Sequence, residues 1–445
     1  MHRIAVIGSG IAGLAAARRL ASAPGGHGVT LLEAGSHFGG HANTVDMTLE
    51  GVSQGVDTGF LVFNHRTYPL LKRLFEELQV PTAAAEMSFS VQVPQADGSA
   101  GLEWSGSSLR GVFAQRRNLL RPRFLKMLAE ILRFNRLATR IAQEGNEARL
   151  HSSIEVFLDG HGFGPAFRQD YLLPMMGCIW SCPTDQMLRF PVATLIRFCH
   201  NHGLIQVTDR PQWYTVRGGS RHYVRRIVAA LQQDGRHEAR LNTPVLGLRR
   251  MAHGVLLQTA HGTEQFDAVV LACHSDQSLR LLGTDATPQE HSVLGAIRYQ
   301  PNQAVLHTDT SVLPHCEAAW AAWNYERAAD AGRDQAGVCL HYLLNRLQPL
   351  PWQQPVMVSL NPVRPIDDSR VHARIAYSHP VFDLAAIEAQ AQVGALQGQR
   401  RTWFCGAWCG YGFHEDGLRS GLDAADSLLH ALQTFPSSPA IEGAA

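Results

Sequence analysis

Lysine is almost missing from this chain of 445 residues: of its 39 basic residues, only Lys72 and Lys126 are lysines. Cysteine is scarce as well, and eight cysteines in such a length favour reduced thiols over a disulfide framework. Their two C-x3-C spacings lack the gap of ordinary zinc knuckles, so no metal site is expected. No apolar run approaches the roughly 18 residues of a membrane-spanning helix. The net charge of +1 offers no general attraction to nucleic acid.

The composition is that of a globular protein. Hydrophobic residues make up 45% and charged residues 17%, which excludes a disordered chain. At roughly 150 residues per domain, the length suits about three domains, or equally one enzyme built of two composite domains. The apolar residues 4–7 lead directly into a glycine-rich motif, so we expect no signal peptide and a cytoplasmic protein.

A glycine motif lies between an apolar strand at 4–7 and an alanine-rich helical segment. In such a motif, Gly8 permits a tight turn, Gly10 lets the backbone approach a pyrophosphate, and Gly13 allows close packing of the helix on the strand. Glu33 follows a second apolar strand, where its carboxylate would accept hydrogen bonds from a ribose, which disfavours NADP. The pattern predicts a βαβ unit that binds a dinucleotide. Its predicted contacts are Gly8, Ser9, Gly10, Ile11, Ala12, Gly13 and Glu33.

The residues after Glu33 resemble those of a known family. The stretch Ala34-Gly35-Ser36-His37-Phe38-Gly39-Gly40-His41 is similar to the E-x5-G-G-R element of the flavin-containing amine oxidase and phytoene desaturase superfamily. Histidines 37 and 41 stand where the family pattern has arginines, and histidine still donates hydrogen bonds. In that superfamily the glycine pair lets the backbone approach the flavin and its ribityl chain, which is what the resemblance implies for Gly39 and Gly40.

Further stretches extend the resemblance to the middle and the end of the chain. Residues 56–61 are similar to the family's D-x-G segment along the flavin, and residues 242–245 and 266–272 to its adenine-side strands. Residues 404–407 and 417–421 are similar to the closing F-A-G and G-A-x-x-S-G elements, although the usual acid after F-A-G is missing. The resemblance implies an FAD cofactor, and a helix from about Leu418 whose N-terminal end would stabilise negative charge on reduced flavin. The residues that it adds to the cofactor site are Ala34, His37, Gly39, Gly40, His41, Gly59, Phe60, Leu61, Val245, Gly406, Ala407, Gly417 and Leu418.

These elements predict an α/β fold in which a Rossmann-type FAD-binding domain is interleaved with an α+β substrate domain, as in the amine-oxidase-like two-domain architecture. Residues 1–75, 212–285 and 395–435 are expected to form the FAD-binding domain. Residues 76–211 and 286–394 are expected to form the substrate domain, followed by a frayed tail at 436–445. A ligand held between the two domains is the natural consequence.

Two features of the family's amine oxidases are missing. Many of them place a lysine near the flavin, whereas the corresponding region 301–305 has no lysine and offers Gln303. They also hold the substrate amine between aromatic rings, and His414 occupies one of these positions here. The candidates for the substrate pocket are therefore Gln303 and His414, together with Trp180 from an apolar stretch. The residues do not identify a catalytic group.

The segment 108–143 carries nine basic residues and one acidic residue, interleaved with leucine and phenylalanine. A basic amphipathic helix of this kind is typical of binding to anionic lipid. It indicates peripheral contact with an anionic membrane, at its inner face. A solvated helix face that covers a protein core explains the same pattern, and both interpretations stay open at this point.

Within the superfamily, the stretches 39–45 and 212–221 resemble those of a bacterial group of predicted NAD/FAD-binding, amine-oxidase-like proteins. Genes of that group often lie beside a cyclopropane-fatty-acid-synthase-like methyltransferase, which is the functional partner that the resemblance implies. We expect an FAD-dependent oxidoreductase that removes hydride from a C–H bond of an apolar, lipid or fatty-acyl substrate. Three alternatives stay open: a flavin amine oxidase that releases hydrogen peroxide, an FAD-bound non-catalytic partner of the methyltransferase, and an NAD-binding protein.

Overall fold

A computed structural model of the chain describes residues 2–95, 101–144, 152–182, 184–206, 210–328 and 338–434, so the predicted tail at 436–445 lies outside the described residues. The strands are β1 (Arg3–Ile7), β2 (Gly28–Leu32), β3 (Thr44–Leu49), β4 (Val52–Asp57), β5 (Phe63–Asn64), β6 (Thr82–Ala85), β7 (Phe89–Val93), β8 (Leu102–Ser105), β9 (Trp213–Val216), β10 (Glu238–Arg240), β11 (Val245–Met251), β12 (Gly254–Thr259), β13 (Gly262–Phe266), β14 (Ala268–Leu271), β15 (Arg298–His307), β16 (Trp323–Glu326), β17 (Cys339–Leu343), β18 (Met357–Leu360), β19 (Val371–Val381) and β20 (Thr402–Phe404). The helices are α1 (Ile11–Ala21), α2 (Pro69–Glu77), α3 (Leu109–Val112), α4 (Pro122–Glu144), α5 (Ile154–Gly160), α6 (Pro165–Phe167), α7 (Leu173–Trp180), α8 (Thr184–Leu188), α9 (Val192–Asn201), α10 (Arg221–Gln233), α11 (Ser275–Leu282), α12 (Pro288–Gly295), α13 (Leu344–Leu347), α14 (Leu384–Gln390), α15 (Val393–Leu396) and α16 (His414–Leu432).

The predicted βαβ unit lies in a parallel sheet of five strands, in the order β10-β2-β1-β14-β20. In the central strand, Ile4 pairs with Val29 on one side and with Ala268 on the other. β2 and β14 are buried along their whole length and, apart from Thr30 in β2, carry no polar side chain, as expected for parallel strands that are covered on both faces. Helices α1 and α16 pack against each other beside this sheet, so the first and last helices of the described chain are neighbours.

A second sheet has seven strands, in the order β19-β15-β18-β17-β16-β7-β8. The neighbouring strands run antiparallel, except that β16 and β7 are parallel. Helix α7 packs on β16 and α4 packs on α9, which places the helices between residues 109 and 201 beside this sheet. The second sheet and these helices provide the walls of a cavity that begins at the first sheet.

The sequence patterns do not predict the long edge strand β19. The burial of its first six residues alternates, which is typical of a strand, but Pro380 near its end argues against one, although an edge strand tolerates proline. A three-stranded sheet of β5, β9 and β6 joins residues from both sides of the predicted boundaries at 75 and 211. The domain boundaries therefore stay a prediction.

Candidate functional site

The loop between β1 and α1 is suited to an anion. Gly8 has a φ of +100°, a left-handed conformation that glycine adopts without strain. Helix α1 begins directly after Gly10 without a side-chain cap, and its first backbone hydrogen bond runs from the Leu14 N–H to the Gly10 carbonyl at 2.9 Å. The amides at the start of α1 therefore have no partner within the helix and, with the helix dipole, favour a phosphate group.

Open space lies directly over Gly10. A Cβ atom added at Gly10 would meet no heavy atom within 4 Å, apart from its chain neighbours. The second glycine pair borders this space, because the Gly39 N–H donates to the Ser9 carbonyl at 3.1 Å and a Cβ at Gly40 would lie 3.2 Å from the Gly10 Cα. The two glycine elements thus form one cradle, which a pyrophosphate can fill.

Glu33 stands directly after β2, beside this cradle. One of its carboxylate oxygens accepts from the Ser9 N–H at 2.9 Å and from the Ser9 hydroxyl at 2.6 Å. The other oxygen accepts from the Gly35 N–H at 2.8 Å. A carboxylate has about four acceptor positions, so capacity is left for a ribose diol. The residues present therefore fit the nucleotide end of FAD.

A cavity of about 1410 Å³ extends from this loop into the protein. Pockets for one ligand usually measure about 300–1,000 Å³, so this cavity has room for a dinucleotide and a second molecule. Of the predicted residues, it brings together Gly8, Ser9, Gly10, Ile11, Ala12, Glu33, Ala34, Gly39, Gly40, His41, Gly59, Phe60, Leu61, Val245, Gly406, Ala407, Trp180 and His414.

Four predicted cofactor residues do not line the cavity. His37 is exposed at the surface, and Leu418 is buried in the core with 2% of its surface accessible. Gly13 and Gly417 serve packing instead: Gly13 lies against the glycine loop, and a Cβ at Gly417 would lie 2.7 Å from the Ile11 side chain. Gly13 and Gly417 belong to the frame of the cofactor site, since a Cβ atom at either position would run into protein atoms.

The predicted pocket position of Gln303 is wrong. Gln303 lies on β15, where the cavity-lining residue is Tyr299, four residues earlier. At a rise of about 3.3 Å per residue, the two positions are about 13 Å apart along the strand. Gln303 is exposed there, and its N–H donates to the Asn361 side-chain oxygen at 2.8 Å.

Helix α16 begins at His414, four residues before the predicted start at Leu418. Glu415 and Asp416 stand in its first turn, where Asp416 accepts the Phe413 N–H at 3.0 Å and Glu415 accepts two amides at the start of α2. Burial raises the pKa of Asp416 to about 6 and raises that of Glu415 above its ordinary value. Acidic side chains in a first turn counter the positive end of the helix dipole, so the anion stabilisation predicted there is reduced.

Two histidines from distant parts of the chain, His41 and His379, meet at the cavity, and Tyr377 packs on one of them. His41 stacks on Tyr377 with ring centroids 4.7 Å apart, and His379 lies 5.3 Å from His41. The Tyr377 hydroxyl is 2.9 Å from the Thr58 hydroxyl, and the Asn302 amide is 3.1 Å from His379 Nδ1. Sequence reasoning missed Tyr377 and His379. Their i, i+2 spacing is typical of one strand face, but no local signal places that strand beside His41.

Burial keeps the imidazoles of the cavity neutral. Desolvation lowers the pKa of His379 to about 4 and that of His414 to about 3, and it also lowers the pKa of His41 well below the ordinary value. These rings therefore carry no charge at neutral pH, and His379 and His414 share hydrogen bonds with Asn302 and Tyr223. The two lysines lie elsewhere, Lys72 on α2 and Lys126 on the exposed face of α4.

Aromatic and apolar side chains line the rest of the cavity. Trp180 is 4% exposed and packs on Phe198 with ring centroids 4.9 Å apart. In the described part of the chain, its indole N–H has no hydrogen-bond partner. A buried unpaired N–H is costly, and an acceptor oxygen of a ligand satisfies it. The other rings of this apolar chamber belong to Trp104, Tyr171, Phe198, Trp213, Trp323, Tyr342, Tyr411 and Phe413.

The fold and the site together define a dinucleotide-binding protein with an adjoining apolar chamber. The model of the flavin containing amine oxidoreductase family matches residues 11–316, and the chain belongs to this family. It is an FAD-dependent oxidoreductase, which confirms the predicted enzyme class and cofactor. FAD fits the cradle over Gly10, the free amides of α1 and the carboxylate of Glu33.

No curated protein matches the chain by sequence. A protein assigned as a protoporphyrinogen oxidase from Exiguobacterium sp. 255-15 is 18% identical with a TM-score of 0.66, over 96% of this chain and 99% of that one. A CLA-producing fatty acid isomerase from P. acnes is 16% identical with a TM-score of 0.65, over 96% and 98%. Putrescine oxidase bound to putrescine is 15% identical with a TM-score of 0.64, over 96% and 99%. Such identities show the fold alone, and they confirm the predicted α/β two-domain architecture.

Proposed function

We propose that this FAD-dependent oxidoreductase removes hydride from a C–H bond of an apolar, lipid or fatty-acyl substrate. The observation that carries the proposal is one continuous cavity, which runs from the glycine loop past Trp180 to Leu128 and Ile131 on α4. A chamber with this lining suits a long apolar chain, because enclosing the chain releases water from apolar surface on both partners. Bound FAD supplies the redox chemistry as the hydride acceptor.

The residues of the chain bind FAD and the substrate, orient them and exclude water from them. The glycine loop and Glu33 hold the nucleotide end, as their hydrogen bonds and open space indicate. The imidazole of His414 lies flat on Phe60 at a centroid distance of 3.7 Å and shares a hydrogen bond of 3.0 Å with the Tyr223 hydroxyl, so its position is fixed. The unpaired N–H of Trp180 matches an acceptor oxygen, such as that of an acyl group.

An amine substrate is the second candidate, because putrescine oxidase shares the fold. The charges of the cavity argue against it, since a buried ammonium group needs a carboxylate partner. Among the described lining residues, the acids are Glu33 and Glu86. Glu33 accepts three hydrogen bonds and its remaining acceptor capacity would go to the ribose of bound FAD, and Glu86 is paired with Arg346 at 2.6 Å. Neither carboxylate is free for an ammonium group in the chamber.

The fatty acid isomerase of P. acnes supports the acyl interpretation, because its name states a fatty acid and it shares the fold. An acyl substrate is also what a cyclopropane-fatty-acid-synthase-like methyltransferase would act upon, and we propose such an enzyme as the functional partner. The non-catalytic alternative retains FAD and the partner but performs no oxidation. It differs from the proposal in whether the flavin exchanges electrons.

Anaerobic flavin reduction tests the proposal. The purified holoprotein is mixed with oleate or phospholipid in detergent micelles, and separately with putrescine, while the absorbance of oxidised flavin is followed. We expect bleaching by an acyl compound and oxidation of that compound in mass spectrometry. Bleaching by the amine alone, with peroxide release in air, would establish the second candidate. A photoreduced flavin that oxygen and other acceptors fail to reoxidise, with no reduction by either substrate, would establish the non-catalytic role.

A further inference from the structure

Large apolar side chains are exposed in one short stretch of the chain. Leu109 and Leu120 are 80% and 88% exposed, and Leu119, Leu125 and Leu132 are also exposed. These five residues, here called the leucine patch, lie on α3, on the 3-10 turn Arg116–Leu120 and on α4. Single exposed leucines are ordinary on a protein surface, but a cluster of this kind marks a binding surface.

The leucine patch is surrounded by positive charge. The nine basic residues of the segment are all exposed, namely Arg110, Arg116, Arg117, Arg121, Arg123, Lys126, Arg133, Arg136 and Arg140. The acid among them, Glu130, is 7% exposed and accepts the Gly164 N–H at 3.2 Å, so it does not offset these charges at the surface. Arg123 pairs with Asp170 at 3.0 Å. Within the described ranges, Lys126, Arg136 and Arg140 have no carboxylate at salt-bridge distance.

Helix α4 carries three different faces. Phe124, Met127 and Phe134 are buried in the core. Leu128 and Ile131 line the cavity, and Leu132 lines it while remaining exposed to solvent. Residues that are three or four positions apart share a face of a helix, so the exposed Leu125 and Leu132 border both the cavity face and the basic face. On α3, Leu109 is likewise a lining residue and exposed. Leu109 and Leu132 of the leucine patch therefore stand at an opening of the cavity.

We infer that this surface docks the enzyme on an anionic lipid bilayer. The leucine patch would enter the boundary of headgroups and acyl chains, while the basic residues contact lipid phosphates, the arrangement typical of interfacial amphipathic helices. None of the described helices, including the 23 residues of α4, is long and apolar enough to cross a membrane, so the contact is peripheral to the bilayer. Docking places the cavity opening against the lipid. The docking follows from this surface, and only its use for substrate uptake rests on the proposed function.

Vesicle sedimentation tests the docking. The holoprotein is mixed with vesicles of phosphatidylglycerol and phosphatidylcholine, or of phosphatidylcholine alone, at moderate salt. We expect the protein to pellet with the anionic vesicles and to remain in solution with the neutral ones. Removing one basic residue near an anionic surface weakens binding by about fivefold. The variant Arg136→Gln should show this loss, and the matched control Arg249→Gln, at an exposed arginine on β11, should bind like the wild type.

Two further variants test the apolar contribution of the leucine patch to membrane binding. Leu119→Ser with Leu120→Ser should abolish pelleting, whereas Leu246→Ser, at a leucine that is 60% exposed on β11, should leave it intact. Retained flavin and an unchanged melting temperature show that each variant is folded. Equal binding to both vesicle types, or unchanged binding by the patch variants, would overturn the inference. The inference would also be overturned if the wild type formed a dimer in sedimentation velocity and the double variant Leu119→Ser with Leu120→Ser were a monomer. The patch would then join two copies of this chain.

A separate readout keeps the docking distinct from the proposed function. With acyl substrate embedded in vesicles, flavin reduction in the double variant Leu119→Ser with Leu120→Ser should be at least tenfold slower than in the wild type. With micellar substrate, the two rates should be equal. If no acyl compound reduces the flavin while anionic vesicles still bind, the docking stands and the proposed substrate falls. If micellar acyl substrate reduces the flavin while no vesicle binds, the proposed function stands and the docking is wrong.

Discussion

Gly13 lies so close to Gly8 that a Cβ atom on Gly13 would stand 1.9 Å from the Gly8 carbonyl oxygen. This contact holds the start of α1 against the turn that follows β1. At Gly10, in contrast, the same addition meets no atom within 4 Å. The two glycines of one motif therefore have opposite surroundings: protein atoms leave no room for a side chain at Gly13, whereas the open space over Gly10 is where the pyrophosphate of FAD would lie.

Alanine at these two positions should separate folding from cofactor binding. Gly13→Ala forces the helix away from the turn and should lower the stability of the apoprotein by on the order of 2 kcal/mol or more. Gly10→Ala should leave the melting temperature of the apoprotein unchanged and reduce the flavin retained after dialysis. Thermal melts of both apoproteins, with flavin absorbance of both holoproteins, measure the difference. A Gly10→Ala protein with full flavin occupancy would contradict the assignment of the cradle.

The variant Glu33→Ala should weaken FAD binding by about 1–3 kcal/mol, because the ribose loses a charged acceptor. That range corresponds to about a fivefold to 150-fold rise in Kd, which titration of the apoprotein with FAD measures. Part of this loss arises because Ser9 and Gly35, whose N–H groups donate to this carboxylate, lose their acceptor in the variant. Unchanged flavin occupancy in Glu33→Ala would contradict the role of this residue.

The buried His414 should make the free energy of unfolding depend on pH. Burial lowers its pKa from the ordinary 6.5 to about 3, so between these values the folded state binds fewer protons than the unfolded state. The free energy of unfolding therefore falls as the pH drops below 6.5, by at most about 1.4 kcal/mol per pH unit for this one group. Urea melts across this pH range should show a shallower fall for His414→Gln. His253→Gln, at an exposed histidine, should retain the wild-type slope.

Asp57 joins the segment before Gly59 to the start of α10. Its carboxylate accepts from the Ser220 N–H at 2.9 Å, the Ser220 hydroxyl at 2.7 Å, the Thr44 hydroxyl at 2.6 Å and the Gln348 amide at 3.0 Å. Asp57→Ala strands these buried donors and should cost on the order of 3 kcal/mol. The control Asp46→Ala removes an exposed ion pair with Arg221 and should cost less than about 1 kcal/mol. Equal melting temperatures for the two variants would refute this difference.

Trp180→Phe keeps the ring in the chamber and removes its unpaired N–H. If that N–H holds an oxygen of the acyl substrate, KM should rise about threefold to tenfold with kcat nearly unchanged, as for the loss of one hydrogen bond. Steady-state kinetics with micellar substrate measure both constants. A fall in kcat at constant KM would show that Trp180 acts at the reacting end instead.

The cofactor end of the site could be read from the sequence because its signals are local. The turn at Gly8, the helix start after Gly10 and the acid after β2 depend on residues within about thirty positions of one another, and the structure brings them together. Even the error at α16 is local: Glu415 and Asp416 are good first-turn residues, so the helix begins earlier than its glycine element suggests.

The sequence by itself determined that this chain forms a dinucleotide site, since the glycine spacing between a strand and a helix dictates it. The resemblance of further stretches to the flavin amine oxidase family added that the dinucleotide is FAD. Only the tertiary structure decided which residues line the cavity beyond the glycine loop. His41 and His379, two lining residues whose ring centroids are 5.3 Å apart, are separated by 338 positions in the chain. On β15, the start of the strand reaches the cavity at Tyr299, and Gln303 lies four residues further along, outside it. Such placements arise from pairing between distant strands and helices, and no local pattern of residues encodes them.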